Sequence, residues 1–217
     1  MHLDSVCERL SSYVFIAVVC DLMAVSSRHV KRQCEASDIN ILSSRGVKIE
    51  PFSMSKVELS TNEFYKSGEK LSFDFKTKYS RGLLFYGIHR GSTERSEILA
   101  LWLVEGRLVF NVRCSLADLD LHIHTSRLDD GNWHSIEFRR KGLKGFIVVD
   151  GRPYYRRYHV KCKLNTFVIG GMDSADAMIL FPPIPIYDGH FEGCIRNLHV
   201  SSGLTTRPNY FAVSSCH

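Results

Sequence analysis

Leu71-Ser-Phe-Asp-Phe-Lys-Thr77 decides the fold: apolar side chains at 71, 73 and 75 alternate with Ser72, Asp74 and Lys76. A step of two places the three apolar groups on one face of an extended chain, whereas a helix would bring an apolar residue back every three or four positions. The same pattern recurs where Leu119, Leu121 and Ile123 interleave with Asp120 and His122. Working outward, further strands are predicted over 82 to 88, 97 to 104, 107 to 113, 134 to 140, 144 to 150, 166 to 170 and 193 to 200. Turn signals separate them at Arg81-Gly82, Glu105-Gly106, Asp130-Gly131, Asp150-Gly151 and Gly170-Gly171. No sustained helical stripe competes. Many short strands joined by Gly and Asp turns describe an all-β chain, an antiparallel two-sheet β-sandwich. Ile98 to Val104 is apolar on both faces and is predicted to be a central strand.

The 217 residues, 44% hydrophobic and 24% charged, support one globular module plus a short flank and exclude extended disorder. At the start, Tyr13 to Cys20 is an unbroken apolar run that continues beyond Asp21 to Val25, and Ala24-Val25-Ser26 offers small residues at cleavage spacing. Residues 1–26 are therefore read as a signal peptide, because the apolar span falls short of the roughly 20 residues that cross a bilayer. Residues 27–51 are read as a linker or propeptide containing the dibasic pair Lys31-Arg32, and residues 52–217 as the folded domain. Loss of the leader removes Cys7 and Cys20 and leaves Cys34, Cys114, Cys162, Cys194 and Cys216 in an oxidising compartment. Five is odd, and Cys34, in the polar stretch 33 to 50, is taken as the unpaired one.

Seven pieces in order then carry a resemblance: Leu71 to Thr77, Arg81-Gly-Leu-Leu-Phe-Tyr86, Ile98-Leu-Ala-Leu-Trp-Leu-Val-Glu-Gly106, Leu128-Asp-Asp-Gly-Asn-Trp-His134, Phe146-Ile-Val-Val-Asp-Gly151, Val168-Ile-Gly-Gly171 and Phe191-Glu-Gly-Cys-Ile-Arg-Asn-Leu198. Together they resemble a laminin G-like domain across about residues 52 to 216. The resemblance implies a concanavalin-like jelly roll in a secreted matrix or cell-surface protein, binding sulfated glycans, glycosylated receptors or other ectodomains. It implies the disulfides Cys194–Cys216 and Cys114–Cys162. It also implies a rim calcium ion held by Glu97, a backbone carbonyl in the stretch from Val112 to Cys114, and Asn165, with Glu97 standing where Asp is usual. A covalent staple at Cys114 and Cys162 is an alternative organiser of that rim.

Asp118, Asp120, His122 and His124 share one strand face. Paired carboxylates suggest glycosidase chemistry, and His-x-His with Asp suggests a transition-metal site. The competing reading is a solvated outer face opposite Leu119, Leu121 and Ile123. No phosphate loop, Gly-x-Ser-x-Gly or His-Glu-x-x-His motif appears in the chain, so the chain is read as a non-enzyme. His134 is read as a structural hydrogen-bonding residue, since no nucleophile is recognisable beside it.

Charge is concentrated between residues 139 and 163, where Arg139, Arg140, Lys141, Lys144, Arg152, Arg156, Arg157, Lys161 and Lys163 face Asp150 alone, a local excess of +8 in a chain of net +5. Tyr154, Tyr155, Tyr158 and His159 interleave these bases. Guanidinium forks beside planar rings suit sulfate oxygens, and outside the cell the abundant polyanion is a sulfated glycan rather than nucleic acid. The predicted function is an extracellular binding module using this segment. The alternatives are a carrier holding a small apolar ligand between the sheets and, behind it, a glycan-active enzyme.

Overall fold

The computed structural model describes residues 39–52, 54–64, 68–89, 97–114, 117–141, 144–154, 162–172, 176 and 190–216. The signal-peptide assignment at 1–26, Lys31-Arg32 and Cys34 lie outside the described residues.

Fourteen strands are described: β1 (Val47–Ile49), β2 (Lys56–Phe64), β3 (Lys70–Lys76), β4 (Gly82–Ile88), β5 (Ile98–Val104), β6 (Arg107–Cys114), β7 (Ala117–Ile123), β8 (His134–Lys141), β9 (Lys144–Val149), β10 (Arg152–Tyr154), β11 (Leu164–Gly170), β12 (Gly193–Val200), β13 (Asn209–Phe211) and β14 (Ser214–Ser215). They form two seven-stranded sheets, in the orders β10-β9-β8-β3-β12-β1-β14 and β13-β2-β11-β4-β5-β6-β7. Every named strand pair is antiparallel, as in the pairing of β3 with β8 and of β6 with β7.

The period-two pattern of β3 becomes a burial pattern. Leu71, Phe73 and Phe75 are buried between the sheets, and the residues between them are half-buried on the outside. Aromatic rings fill the inter-sheet space: Phe64 meets Phe167 edge-on at 5.5 Å, Phe73 meets Phe85 at 5.8 Å, and Phe110 lies 5.3 Å from Phe138. Such contacts add to the area term, because ring edges carry positive and ring faces negative partial charge. A second apolar cluster, built on Leu83, Tyr86, Ile98, Trp102, Val109 and Val168, lies apart from the inter-sheet core. It explains why β5 is apolar on both sides.

The linker assignment of 27–51 is corrected at its C-terminal end. Ile41, Val47 and Ile49 are fully buried, and β1 is paired with β12 on one side and β14 on the other. Backbone carbonyls of Ile41 and Ser43 accept from the amides of Leu198 and Asn197, where the β3–β12 ladder shifts register. A three-residue strand inside a Ser- and Asn-rich stretch is too short for any periodicity to be read.

Gly82 shows why the Arg-Gly motif needs glycine. Its φ is +150°, and a Cβ there would lie 2.5 Å from the Cα of Phe191, closer than real Cβ contacts allow, so any larger residue would push the β4 edge away from that chain.

Candidate functional site

The sandwich has two ends. At one lie the β8–β9 hairpin, the β2–β3 connection, and the disulfide joining Cys114 at the end of β6 to Cys162 just before β11, with Cα atoms 5.2 Å apart. At the other lie the turns at Glu105-Gly106, Asp130-Gly131 and Asp150-Gly151, together with Cys194, which is bonded to Cys216 at a Cα separation of 5.8 Å.

The first end brings together five described cations, four of them from the basic segment. In β8, Arg139 and Lys141 point outward, and Lys144 of β9 lies directly opposite Lys141. Lys70 of β3 lies opposite Arg139. Lys163 is exposed immediately after the buried Cys162. Glu137 lies within the group, ion-paired with Arg139 and 3.7 Å from Lys70. Lys70 was missed by the linear reading because it lies far from residues 139–163 in sequence and is brought to them only by strand register.

Two members of the expected basic face are corrected. Arg140 is 2% exposed, and its Nη1 donates to the carbonyls of Cys162 at 3.1 Å and Phe64 at 3.5 Å. It therefore ties the two sheets together beneath the rim and presents no charge to a ligand. Parity already contained this signal: Ile136 and Phe138 face inward, and Arg140 continues their series. Arg152 sits beside the Asp150-Gly151 turn, paired with Val149, so the length of β9 separates it from Lys144, roughly 17 Å at about 3.3 Å per residue. Arg156, Arg157 and Lys161 lie outside the described residues.

The implied calcium ligands are already engaged by protein groups. The Val112 carbonyl accepts from Nη1 of Arg113 at 3.0 Å, and the same guanidinium reaches Asp120 Oδ1 at 2.9 Å. Glu97 Oε2 accepts the backbone N–H of Lys163, and Asn165 Oδ1 accepts from Thr166 Oγ1 at 3.2 Å. Calcium requires six to eight oxygens at about 2.3–2.6 Å, and a guanidinium seated on one of the three oxygens repels a dication. The set does not fit the ion. Among the described residues no group of three or more His, Cys, Asp or Glu is placed to hold a metal.

Asp120 is likewise engaged, accepting at Oδ1 from Asn111 Nδ2 at 2.5 Å as well as from Arg113. His122 is exposed on β7, and His124 is exposed just beyond its end.

His134 is held at both ring nitrogens, Nδ1 2.9 Å from Asp150 and Nε2 3.1 Å from Asp130. Burial opposes its charged form, but the hydrogen bonds to the two carboxylates outweigh burial and raise its pKa. Asp130 is lowered to about 2, first by the backbone amide of Asn132 and then by the Asn132 and His134 side chains. The signs follow from linkage. The His134 contribution is fully present below its unfolded value of 6.5 and is lost as pH rises through the raised folded value. The Asp130 contribution is present above 3.8 and is lost as pH falls toward 2. Thermal melts should show a decline in Tm above pH 6.5 that His134→Gln removes; an unchanged slope in that variant would show that His134 does not carry the effect.

Beside it, Arg196 stacks 3.8 Å over the Trp133 ring while its Nε lies 3.3 Å from Asp74. This assigns Trp133 and His134 to holding the turn ends together.

A family model for the Laminin G domain matches residues 75–203. The chain is 29% identical over 161 residues to human laminin subunit alpha-3, an alignment covering 71% of this chain and 4% of that protein. It is 30% identical over 129 residues to rabbit sex hormone-binding globulin, covering 58% of this chain and 31% of that one. In three dimensions it matches domains LG4-5 of the mouse laminin alpha1 chain with a TM-score of 0.64 and 21% identity, over 81% of this chain and 47% of that one. The chain thus spans a small part of the length of these curated relatives.

Proposed function

The chain belongs to the laminin G domain family, and from that premise we propose that it is an extracellular binding module that engages sulfated glycans, or receptors carrying them, through Arg139, Lys141, Lys144 and Lys163 at the stapled rim. The observation that carries this reading is the placement of four exposed cations at one end of a rigid sandwich, with Lys70 beside Arg139. Cations held by paired strands lose little conformational freedom on binding a polyanion, and arginine adds a bidentate contact to a sulfate. An extracellular setting is supported by the matrix relatives and by the leader-like start of the chain. The rim works without calcium in this reading, since Arg113 engages the Val112 carbonyl and the Cys114–Cys162 bond ties the same end covalently.

Sex hormone-binding globulin, by its name, carries a hormone, which keeps a carrier reading in view. The phenylalanine contacts that fill the inter-sheet space in this chain argue against that role. An enzyme reading finds no support in the engaged Asp120.

The test is chromatography on immobilised heparin. Alanine at 139, 141, 144 and 163 together should shift elution to clearly lower salt, while Arg152→Ala, at the opposite end, should elute close to wild type. Equal elution of the fourfold variant and wild type, both folded, would move the binding surface elsewhere.

A further inference from the structure

On the far end from the basic rim, a cavity of about 290 Å³ opens on the outer side of β5, β6 and β7, lined by Val104, Glu105, Arg107, Val109, His122 and His124 among others. Arg107 lies six residues before Arg113 along β6, so roughly 20 Å separates this cavity from the implied calcium rim. We propose that it is a binding site for a single neutral pyranose ring, independent of the sulfated-glycan reading.

Its chemistry selects that ligand. Strand register sets Val109 directly beside His122, and Val104, Leu108, Val109 and Ile123 make an apolar floor with an imidazole at its edge. A pyranose presents a C–H face to such a floor and a fringe of hydroxyls that both donate and accept. The fringe here matches: Glu105 accepts, Arg107 donates, and each neutral imidazole can do either. Glu105 and Arg107 cancel in formal charge, so the lining favours neither an anion nor a cation, and an apolar ligand would displace water from the Glu105 carboxylate and the imidazoles without replacing their hydrogen bonds, Arg107 Nε already donating to the Thr125 carbonyl at 3.4 Å. The volume lies just under the range of about 300–1,000 Å³ typical of drug-sized ligands, which suits one ring.

The turn that carries Glu105 is rigid. Glu105 has φ +52° in the hairpin turn before Gly106, a left-handed conformation that glycine or asparagine adopts with less strain. The turn is fixed in place: Gly106 N–H donates to Ser80 O, Leu128 N–H donates to Gly106 O, and a Cβ on Gly106 would strike Asp129. Asp150 before Gly151 adopts the same conformation at φ +48°, so the turn itself is ordinary hairpin geometry, and what it contributes is a fixed backbone that holds Glu105 at the edge of the cavity.

The experiment is a ¹H–¹³C NMR titration of the histidine rings in the full domain with methyl glycosides of glucose, galactose and mannose. At least one should move the His122 and His124 signals saturably, with a dissociation constant on the order of millimolar. Glu105→Gly should keep or raise Tm by relieving the turn and should weaken the titration at least tenfold, and His122→Ala should weaken it while leaving heparin elution unchanged. Absence of saturable shifts with all three sugars, wild-type titration by the Glu105→Gly variant, or preference for a sulfated or carboxylated sugar would overturn the proposal. Loss of heparin binding in the rim variant with these shifts intact would leave it standing.

Discussion

Alanine at both Cys114 and Cys162 should lower the unfolding free energy by about 4 kcal/mol, whereas a calcium chelator should leave it unchanged. The bond closes a loop with a sequence separation of 48, and the chain-entropy account of cross-linking gives roughly that amount for such a loop. Against a total of about 5–15 kcal/mol for a domain, this is a large fraction. Cys194–Cys216, with a separation of 22, should contribute about 3 kcal/mol by the same reasoning. The chelator part follows from Arg113 on the Val112 carbonyl and the Lys163 amide on Glu97, which leave the implied ligands already partnered. Urea denaturation of the two double variants, with and without chelator, separates the contributions. A chelator effect as large as that of removing the bond would restore calcium as the organiser of this end.

Arg140→Met should cost about 3 kcal/mol while leaving polyanion affinity near wild type. Methionine keeps most of the apolar stem but leaves the buried Cys162 and Phe64 carbonyls without their charged donor, and hydrogen bonds to charged groups, together with the penalty for a stranded acceptor, reach that size. Arg140→Lys should recover only part, because one ammonium lacks the guanidinium's spread of donors. Arg139→Ala, one residue earlier, should do the reverse: it should weaken heparin retention and change stability by no more than about 0.5 kcal/mol. A stable Arg140→Met variant that elutes early from heparin would put Arg140 on the surface and contradict this account.

The contrast between neighbouring arginines shows what was legible in the sequence. Strand identity was readable from a clear period, as in β3, or an unbroken apolar run, as in β5, and the Gly and Asp turns between them gave the fold class, whereas β2, nine residues whose alternation breaks at Asn62-Glu63, was not picked out. β1, β10, β13 and β14 are two or three residues long, below the length at which alternation means anything, so the domain was predicted to start too late. Charge density along the chain located the basic end but could not separate its faces. Arg140 was countable as charge yet inward by parity, and Arg152 was near in sequence yet at the opposite end of a hairpin arm. The two disulfides were implied by resemblance and are bonded in the structure. The engagement of the Val112 carbonyl could not be read from spacing, since it depends on Arg113 folding back onto the carbonyl of the residue before it.

The most direct test of the central claim is calorimetric titration of the domain with a sulfated heparin fragment and its desulfated counterpart across a salt series. Binding through the four rim cations should appear as a linear fall of log affinity with log salt, with a slope on the order of −3 by analogy with roughly 0.7–0.9 per neutralised phosphate in nucleic acids. The slope should flatten in the variant with alanine at 139, 141, 144 and 163, and the desulfated chain should bind weakly at every salt concentration. Salt-independent affinity, or equal binding of the desulfated fragment, would contradict the account.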